Sequence, residues 1–457
     1  MKMNTIFAAA LFAAAAFGLV SCCDTDAQYT IPDVEAPALV KTTPEAGASK
    51  VRRGDITIQV EYDKNVFFAT EDLDKISFTG GRLLSADVLG SSKVLTLTVN
   101  VPEREAACTL TIPAGVVTGP NRVPAPEVSF SFQTVSLEKA PVVAKATPAV
   151  KLFDYLLENY ERKSLSGMMA NVAWNTDMSE RVYQWTGKYP AINTFDYGHL
   201  AWSVAGADWI DYGNIAPVKE WADRNGIVSC MWHWNVPKVA PADEESTPDL
   251  QNGYAFYKAD TQFDASNALI EGTWENRFFM QDLASVAGYL KLLKEAGIPV
   301  LWRPLHEAAG GWFWWGKDAA SFKAIWIKMF DFFKAEGLDN LIWVWTTETG
   351  DDDWYPGDQY VDIIGRDIYT KDAADCAEQY ADISATYGNK MVVLSECGSV
   401  GLMSEQWPAG GKWGWFMPWY DGENEDGTPI VHADEAWWKD AMTQPFVISR
   451  EDVPAMK

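Results

Sequence analysis

The chain has 457 residues, 48% hydrophobic and 22% charged, which is the composition of a folded protein long enough for two or three domains. Lys and Arg number 37 against 63 Asp and Glu, so the net charge is −26, and repulsion from phosphate backbones argues against nucleic-acid binding. The six cysteines form no CxxC pair and no Cys/His run at metal-ligand spacing, so neither a disulfide scaffold nor a structural zinc site is expected.

The first residues have the pattern of an export signal. Residues 1–21 contain an apolar stretch that is too short and too rich in Ala for a good membrane span. The segment Leu19–Cys22 is similar to the bacterial lipobox, so we expect lipid attachment to Cys22, with a soluble secreted protein as the alternative. Residues 22–37 then form a tether, and the acidic segment Asp24–Asp26 favours the outer membrane and the cell surface as the location.

A small all-β domain is predicted for residues 38–135. Short runs of alternating apolar and polar residues are separated there by turn residues, and examples are Ile56–Val60, Val94–Val99 and Val128–Phe132. Alternation with a period of two places apolar side chains on one face of a strand, which is typical of an Ig-like sandwich. The segment has no Trp and no convergent polar cluster, so we interpret it as a spacer or docking module. The Pro-containing residues 136–148 form a linker.

Residues 149–457 have a different pattern, in which apolar strand-like runs alternate with helical stretches such as Met280–Ala296 and Ala319–Ala335. Eight buried strands with helices between them predict a (β/α)8 barrel. An open α/β sheet is the alternative, because the links after the fifth and seventh runs contain little helix. The eight runs are Leu165–Asn171, Ala191–Tyr197, Gly226–Asn235, Pro299–Glu307, Asn340–Glu348, Tyr360–Tyr369, Lys390–Gly398 and Trp413–Tyr420.

Chemically active side chains stand at the ends of these runs. The third, fourth, sixth, seventh and eighth runs end in Trp232–Asn235, Arg303–Glu307, Arg366–Tyr369, Leu394–Gly398 and Trp415–Tyr420. Because barrel enzymes place their active sites at the C-terminal ends of the strands, we expect these segments to meet on one face.

Glu307 and Glu396 are the candidate catalytic pair, since they end the fourth and seventh runs. Strands four and seven lie across a barrel from each other and can hold two carboxyl groups roughly 5–5.5 Å apart, as a retaining glycosidase requires. Glu307 would protonate the leaving oxygen, with its pKa raised by the charge of Glu396 and by apolar Trp312. Glu396 would attack the anomeric carbon, held by a hydrogen bond from Tyr369. Taken singly, each Glu has an alternative role as a buried partner of an arginine.

Aromatic residues around this pair favour a sugar substrate. The segment Gly310–Gly316 has the sequence Gly-Gly-Trp-Phe-Trp-Trp-Gly, and flat sugar faces stack on indole rings. We predict that Trp312 and Trp419 contact sugar, and that Phe313 and one of the later Trp residues serve packing. Predicted partners for the sugar hydroxyls are His233, Asn235 and Arg303.

Other chemistries lack their motifs. The sequence contains no GxSxG elbow, no P-loop and no HExxH, so no cofactor and no metal are expected. The acidic segment Asp351–Asp353 is interpreted as a solvated loop rather than a divalent-ion site.

With these motifs, residues 150–445 resemble glycoside hydrolase family 26, the β-mannanases. The resemblance is most specific at Trp302–Glu307, Gly311–Gly316 and Ser395–Gly398. His306 stands before the acid, where most members of the wider superfamily have Asn.

The resemblance implies a role for each matching residue. Glu307 would be the acid/base and Glu396 the nucleophile, while the remaining positions would bind substrate. Those positions are His233, Arg303, His306, Trp312, Tyr369 and either Trp415 or Trp419. Cys397 stands where Phe is frequent in the family, and we expect this to alter packing rather than mechanism.

Together these features predict a monomeric, lipid-anchored, retaining endo-β-1,4-mannanase that acts on mannan, glucomannan or galactomannan without a cofactor. A same-family enzyme for mixed-linkage β-glucan or β-1,3-xylan is the first alternative. A non-catalytic glycan-capture lipoprotein is the second, although the presence of both carboxylates argues against it. Endo and exo action are not distinguished by the sequence.

Overall fold

The computed structural model describes residues 33–171, 174–204, 210–243, 246–250, 252–424 and 426–456. The predicted signal peptide, Cys22 and most of the predicted tether lie outside these residues. Two separate hydrophobic cores form, one from residues between Val51 and Phe132 and the other from residues between Val143 and Val453. Within the described ranges, no helix combines the length and apolar character needed to cross a membrane.

The first core belongs to a β-sandwich built from antiparallel pairs. One sheet has the order β1-β2-β6-β5, another has the order β4-β7-β9, and β3 and β8 form a short ribbon. Alternate residues of β6 are buried, which confirms the period-two pattern of the sequence. The strands are β1 (Leu39–Thr43), β2 (Gly54–Tyr62), β3 (Phe67–Phe68), β4 (Ser77–Thr79), β5 (Arg82–Asp87), β6 (Val94–Val101), β7 (Ala107–Ile112), β8 (Val117–Thr118) and β9 (Val128–Gln133).

The second core belongs to a unit of alternating strands and helices. Its strands are β10 (Ser164–Met169), β11 (Ile192–Asp196), β12 (Ile227–Trp232), β13 (Val236–Pro237), β14 (Tyr254–Ala255), β15 (Val300–Pro304), β16 (Leu341–Thr347), β17 (Ile363–Tyr369), β18 (Met391–Gly398), β19 (Trp415–Pro418), β20 (Gly422–Glu423), β21 (Pro429–Ile430) and β22 (Val447–Ile448). Its helices are α1 (Thr147–Asn159), α2 (Asp177–Thr186), α3 (Leu200–Val204), α4 (Ala216–Asp223), α5 (Trp274–Glu295), α6 (Ala319–Ala335), α7 (Ala373–Thr386), α8 (Met403–Gln406) and α9 (Glu435–Thr443).

Eight parallel strands close into a barrel. Their order is β11-β12-β15-β16-β17-β18-β19-β10, and the pairing of β10 with β11 completes the ring. The predicted (β/α)8 barrel is therefore confirmed, and the open sheet is wrong. The helix-poor links are also present, because only 3-10 turns follow β16 and the four-residue α8 follows β18.

Helix α5 begins at Trp274, six residues before the predicted stretch. The cause is local, since the hydroxyl of Thr273 accepts a hydrogen bond from the backbone N–H of Asn276 at 3.1 Å and caps the first turn. Helix α6 spans the predicted residues.

The sandwich packs against the end of the barrel where the strands begin. Glu161, which precedes β10, accepts hydrogen bonds from Arg53 at 2.8 Å and from Arg104 at 2.6 Å. Arg104 also donates through Nε to the carbonyl of Gly388, which precedes β18. The opposite end of the barrel, where the strands finish, is thus turned away from the sandwich.

Candidate active site

Three carboxyl groups meet where the barrel strands end. Glu307 follows β15, Asp367 lies on β17 and Glu396 lies on β18, and one oxygen from each lies within 4.8 Å of one oxygen from each of the others. Asp367 and Glu396 are buried, and Glu307 is partly exposed. The two predicted catalytic carboxylates are therefore brought together, with a third acid beside them.

The backbone that carries Glu307 is held in an unusual conformation. Leu305 and Glu307 both have positive φ, 52° and 50°, which is uncommon for residues with a side chain. The turn after them is tight, because a Cβ on Gly316 would lie 2.4 Å from the carbonyl oxygen of Ala308. The indole N–H of Trp312 reaches back from this turn and donates to Oε2 of Glu307 at 3.1 Å. Strain of this kind is typical of functional sites.

Glu396 is placed by a bulge in β18. In the pairing with β17, Arg366 lies opposite Leu394, but the next residue, Asp367, lies opposite Glu396, so Ser395 is the extra residue. Bulges beside active sites re-aim side chains. Here Asp367 and Glu396 become register partners on neighbouring parallel strands, and the hydroxyl of Ser395 donates to Oδ1 of Asp367 at 2.7 Å.

Arg303 is the cation of this cluster. Its Nη1 and Nη2 donate to Oε2 of Glu396 at 3.1 and 3.0 Å, and Nη2 also donates to Asp367. Its Nε donates to the hydroxyl of Thr346 at 3.1 Å. Burial alone would lower the pKa of Arg303, but Asp367 and Glu396 raise it above its ordinary value, so the guanidinium stays charged.

Both carboxylate oxygens of Glu396 accept hydrogen bonds. Besides Arg303, the hydroxyl of Tyr369 donates to its Oε1 at 2.5 Å. Burial and the charge of Asp367 raise the pKa of Glu396 to about 6, while Arg303 and the bond from Tyr369 oppose the rise. This carboxyl group is therefore ionised at neutral pH.

Glu307 has the opposite environment. Burial, Asp367 and Glu396 raise its pKa to about 9, and Arg303 only partly opposes them. Near neutrality Glu307 consequently holds a proton while Glu396 does not. Two carboxyl groups with separated pKa values are the arrangement that acid catalysis beside a nucleophile requires.

Two histidines line the other side of the site. The rings of His233 and His306 lie 4.6 Å apart between centroids, and Phe313 packs on His306 at 5.0 Å. Nδ1 of His233 lies 2.5 Å from Oδ2 of Asp196, the last residue of β11. Nδ1 of His306 is buried and has no protein partner. Burial, His233 and Arg303 lower the pKa of His306 well below its ordinary value, so this ring is neutral.

The aromatic segment after Glu307 divides between surface and core. Trp312 is 43% exposed, whereas Phe313, Trp314 and Trp315 are buried, so both later tryptophans pack in the core rather than one. The indole of Trp315 donates to the carbonyl of His306 at 2.9 Å and fixes the turn.

The two tryptophans of the eighth strand have different surroundings. Trp419 is partly exposed, and its ring centroid lies 5.6 Å from that of His233. Trp415 begins β19 and is buried. Trp419 is therefore the aromatic that borders the site. Asn235 donates to the carbonyl of Gly198 at 2.7 Å, which links the ends of the second and third barrel strands.

Asp196 and Asp367 are absent from the predicted site. Asp367 stands two residues before Tyr369, and period-two alternation on β17 places both side chains on one face of the strand. Asp196 is the last residue of β11 and the last but one of the second predicted run, Ala191–Tyr197, so the strand-end rule itself could have revealed it. Of the predicted solvated loop Asp351–Asp353, Asp352 and Asp353 are exposed, but Asp351 is buried. Asp351 accepts from Thr347 Oγ1 at 2.7 Å and from the backbone N–H of Glu348 at 2.6 Å, so it closes the turn after β16.

Among the described residues, one group of His, Cys, Asp or Glu side chains has ligand atoms close enough together to hold a metal ion. It consists of Glu307, Asp367 and Glu396. Arg303 already neutralises two of its members through direct hydrogen bonds. The donor set is thus arranged around an internal cation, and it suits acid and nucleophile chemistry better than metal binding.

A (β/α)8 barrel with a protonated and an ionised glutamate at the ends of its fourth and seventh strands defines the class of barrel glycoside hydrolases. The sequence model for glycosyl hydrolase family 26 matches residues 142–452, and the chain belongs to this family.

The most informative relatives are mannanases. Mannan endo-1,4-beta-mannosidase B of Piromyces sp is 33% identical over 332 residues, which cover 70% of this chain and 55% of that protein. The chain thus spans about half the length of the first curated relatives it matches. The family 26 domain of an endo-beta-mannanase/endo-beta-glucanase from Prevotella bryantii is 42% identical, with a TM-score of 0.63, and the match covers 69% of this chain and 99% of that domain.

A beta-mannanase from a symbiotic protist of the termite Reticulitermes speratus, solved with a gluco-manno-oligosaccharide, is 34% identical. Its TM-score is 0.59, and the match covers 71% of this chain and all of that one.

Proposed function

We propose that this protein is a retaining endo-β-1,4-mannanase acting on mannan, glucomannan or galactomannan. The observation that carries the proposal is the pairing of Glu307 and Glu396, whose nearest oxygens lie within 4.8 Å. Retaining glycosidases hold their carboxyl groups roughly 5–5.5 Å apart, whereas inverting enzymes leave room for a water molecule at about 6.5–9.5 Å. The mannan specificity is supported by the relatives named mannan endo-1,4-beta-mannosidase.

In the first step, the Glu307 proton moves to the glycosidic oxygen as a carboxylate oxygen of Glu396 attacks the anomeric carbon. The bond to the leaving sugar breaks, and an ester between the sugar and Glu396 forms. In the second step, the Glu307 carboxylate takes a proton from water, whose oxygen displaces Glu396 and restores both groups. Arg303 and Tyr369 hold the carboxylate of Glu396 in place by direct hydrogen bonds.

The substrate is tested by reducing-sugar release from carob galactomannan, konjac glucomannan, barley β-glucan and β-1,3-xylan, with products separated by size. Mixed manno-oligosaccharides from the first two support the proposal, and mannobiose alone indicates exo action. Hydrolysis of only β-glucan or xylan overturns the substrate, and no hydrolysis of any favours a glycan-capture protein.

The two roles are tested by substitution. Glu396→Ala should abolish turnover but retain glycan binding. Glu307→Gln should slow hydrolysis of natural glycans by about 10²–10⁴-fold, while an aryl glycoside with an activated leaving group is spared in its first step. Glu378→Gln on the exposed face of α7 is the matched control. Equal losses of kcat/KM, which reports the first step, on both kinds of substrate would exclude the acid role of Glu307.

We further propose that the protein is a monomeric lipoprotein attached through Cys22 to the outer membrane at the cell surface. The chain enters the sandwich far from the barrel: Gly54 at the start of β2 borders Ala385 of the barrel, and Leu39 pairs with Tyr62 at the other end of β2. An anchor there would leave the catalytic face turned outward. Cys22→Ser should release the protein from the membrane fraction, and Cys23→Ser is the adjacent control. Membrane retention of Cys22→Ser would contradict the proposal.

A further inference from the structure

Asp196 is a buried acid at the site that the proposed reaction does not use. Its Oδ1 accepts the backbone N–H of His233 at 2.9 Å, and its Oδ2 lies 2.5 Å from Nδ1 of the same residue. The side chains of Asp196 and His233 are 8% and 15% exposed. Both carboxylate oxygens of Asp196 therefore bind the same residue, His233, at the end of the neighbouring strand.

The backbone around Asp196 is held from a second side. The hydroxyl of Tyr212 donates to the carbonyl of Asp196 at 2.7 Å and accepts the backbone N–H of His199 at 3.0 Å. Asn235 donates to the carbonyl of Gly198 at 2.7 Å. The carboxylate is consequently fixed relative to the barrel, and the His233 ring is fixed relative to the carboxylate.

The charge state of Asp196 determines the tautomer of His233. Burial would raise the pKa of Asp196, but the interactions with His233 outweigh it and lower the pKa, so the carboxyl is ionised. An ionised carboxylate only accepts hydrogen bonds, and Nδ1 must therefore carry the hydrogen. In the neutral ring Nε2 then has a free lone pair.

Among the described residues, Asp196 is the hydrogen-bond partner of the His233 ring, through Nδ1, and Nε2 has none. The other neighbours are the rings of His306, Phe256, Phe313 and Trp419, at 4.6, 5.3, 5.8 and 5.6 Å between centroids. A sugar hydroxyl is the donor that a glycan in this cleft would bring.

We propose that Asp196 is a positioning residue, which holds His233 in one orientation with hydrogen on Nδ1, so that Nε2 accepts a hydrogen bond from a hydroxyl of the bound sugar. The substrate class rests on the proposed function, whereas the tautomer does not. Carboxylate partners orient histidines similarly in metal sites, where their loss typically costs about 10–100-fold in affinity or activity.

The decisive variant is Asp196→Asn. The backbone N–H of His233 keeps the amide oxygen facing it, so the amide NH₂ faces Nδ1 and makes that nitrogen an acceptor. The hydrogen then moves to Nε2, and the nitrogen that faces the sugar changes from acceptor to donor. We expect kcat/KM on manno-oligosaccharides to fall about 10–100-fold.

The tautomer can be read directly, because the chain has only four histidines. In ¹⁵N-histidine spectra, with His233→Gln for assignment, His233 should have hydrogen on Nδ1 in the wild type and on Nε2 in Asp196→Asn. The same tautomer in both proteins would overturn the proposal. An inactive wild type with the expected tautomers would instead overturn only the proposed function.

Two comparisons distinguish the positioning role of Asp196 from a purely structural one. In a His233→Ala background, Asp196→Asn should cause no further loss of kcat/KM, whereas additive losses would contradict action through His233. Asp362 is a matched control, since it is buried and likewise has both carboxylate oxygens hydrogen-bonded, in its case by the backbone N–H groups of Val142 and Trp343. Asp362→Asn should lower Tm without changing kcat/KM. If Asp196→Asn does not fold, Asp196→Ala in the same cycle decides the question.

Discussion

Arg303 and Glu396 form a buried ion pair in which both terminal nitrogens of the guanidinium approach the same oxygen, Oε2, at 3.1 and 3.0 Å. Their side chains are 3% and 7% exposed. The guanidinium of Arg303, on β15, thus favours the ionised form of the proposed nucleophile. The proposed acid, Glu307, follows the same strand.

Replacing Arg303 should be severe for both stability and activity. Arg303→Ala leaves Asp367 and Glu396 as unpaired buried charges, and breaking a buried pair typically costs about 3–5 kcal/mol. Urea unfolding should show this loss, and kcat should fall because Glu396 gains a proton more readily. Arg303→Lys keeps the charge but cannot make the same paired contacts, so it should recover stability more than activity. Wild-type kcat in Arg303→Ala would contradict the assignment.

The activity should have a bell-shaped pH dependence. Glu396 must be ionised to attack, so kcat/KM should rise as the pH increases through about 6. Glu307 must be protonated, so kcat/KM should fall as the pH increases through about 9. The two values belong to the interacting pair. The measurement is kcat/KM on a manno-oligosaccharide over a pH series. With an activated aryl glycoside as substrate, the pH profile of Glu307→Gln should lack the alkaline limb and keep the acidic one. A limb that persists in this variant would assign it to another group.

Glu307 should also reduce stability at alkaline pH. Its pKa is higher in the folded protein, about 9, than its ordinary value, so the folded state binds more protons between the two values. The stabilisation is therefore complete at acidic pH and is lost as the pH rises through about 9. Glu307→Gln cannot ionise, and its Tm should exceed that of the wild type increasingly as the pH is raised. Glu378→Gln should follow the wild type, and parallel curves for all three proteins would refute the expectation.

The positions of the barrel strands and of the two glutamates could be predicted, because both depend on local rules. Buried parallel strands are continuous apolar runs, and the residue that ends each run lies at the catalytic face. The sequence does not distinguish Trp415 from Trp419, although the two differ in depth, because four residues of extended strand separate them by about 13 Å. Only Trp419 reaches the level of His233.

The bulge at Ser395 and the contact between Asp196 and His233 could not be predicted in the same way. Each depends on the register between two strands that are distant in sequence, and a single strand's pattern contains no information about its partner's register. The two buried tryptophans after Phe313 show a related difficulty, since an aromatic run between glycines does not reveal which rings face the core.

Several contacts at the junction between the sandwich and the barrel meet at one carboxylate, that of Glu161. Glu161 accepts from Arg53, from Arg104 and from the hydroxyl of Tyr380, and the two arginine side chains are only 13% and 11% exposed. Glu161→Ala removes the carboxylate partner of both guanidinium groups and leaves only their bonds to backbone carbonyls. Because Glu161 itself is 30% exposed, we expect a loss of about 2–3 kcal/mol, less than for a fully buried pair.

Calorimetry should show this loss as separate unfolding of the sandwich and the barrel in Glu161→Ala, in place of the coupled unfolding expected for the wild type. Activity at 25 °C should be unchanged, because Met391 to Glu396 is five residues of extended strand, about 16 Å, and separates the junction from the site. Glu158→Ala, three residues earlier on α1, is the nearby control. A lower kcat with unchanged unfolding would show instead that the junction acts on the catalytic face.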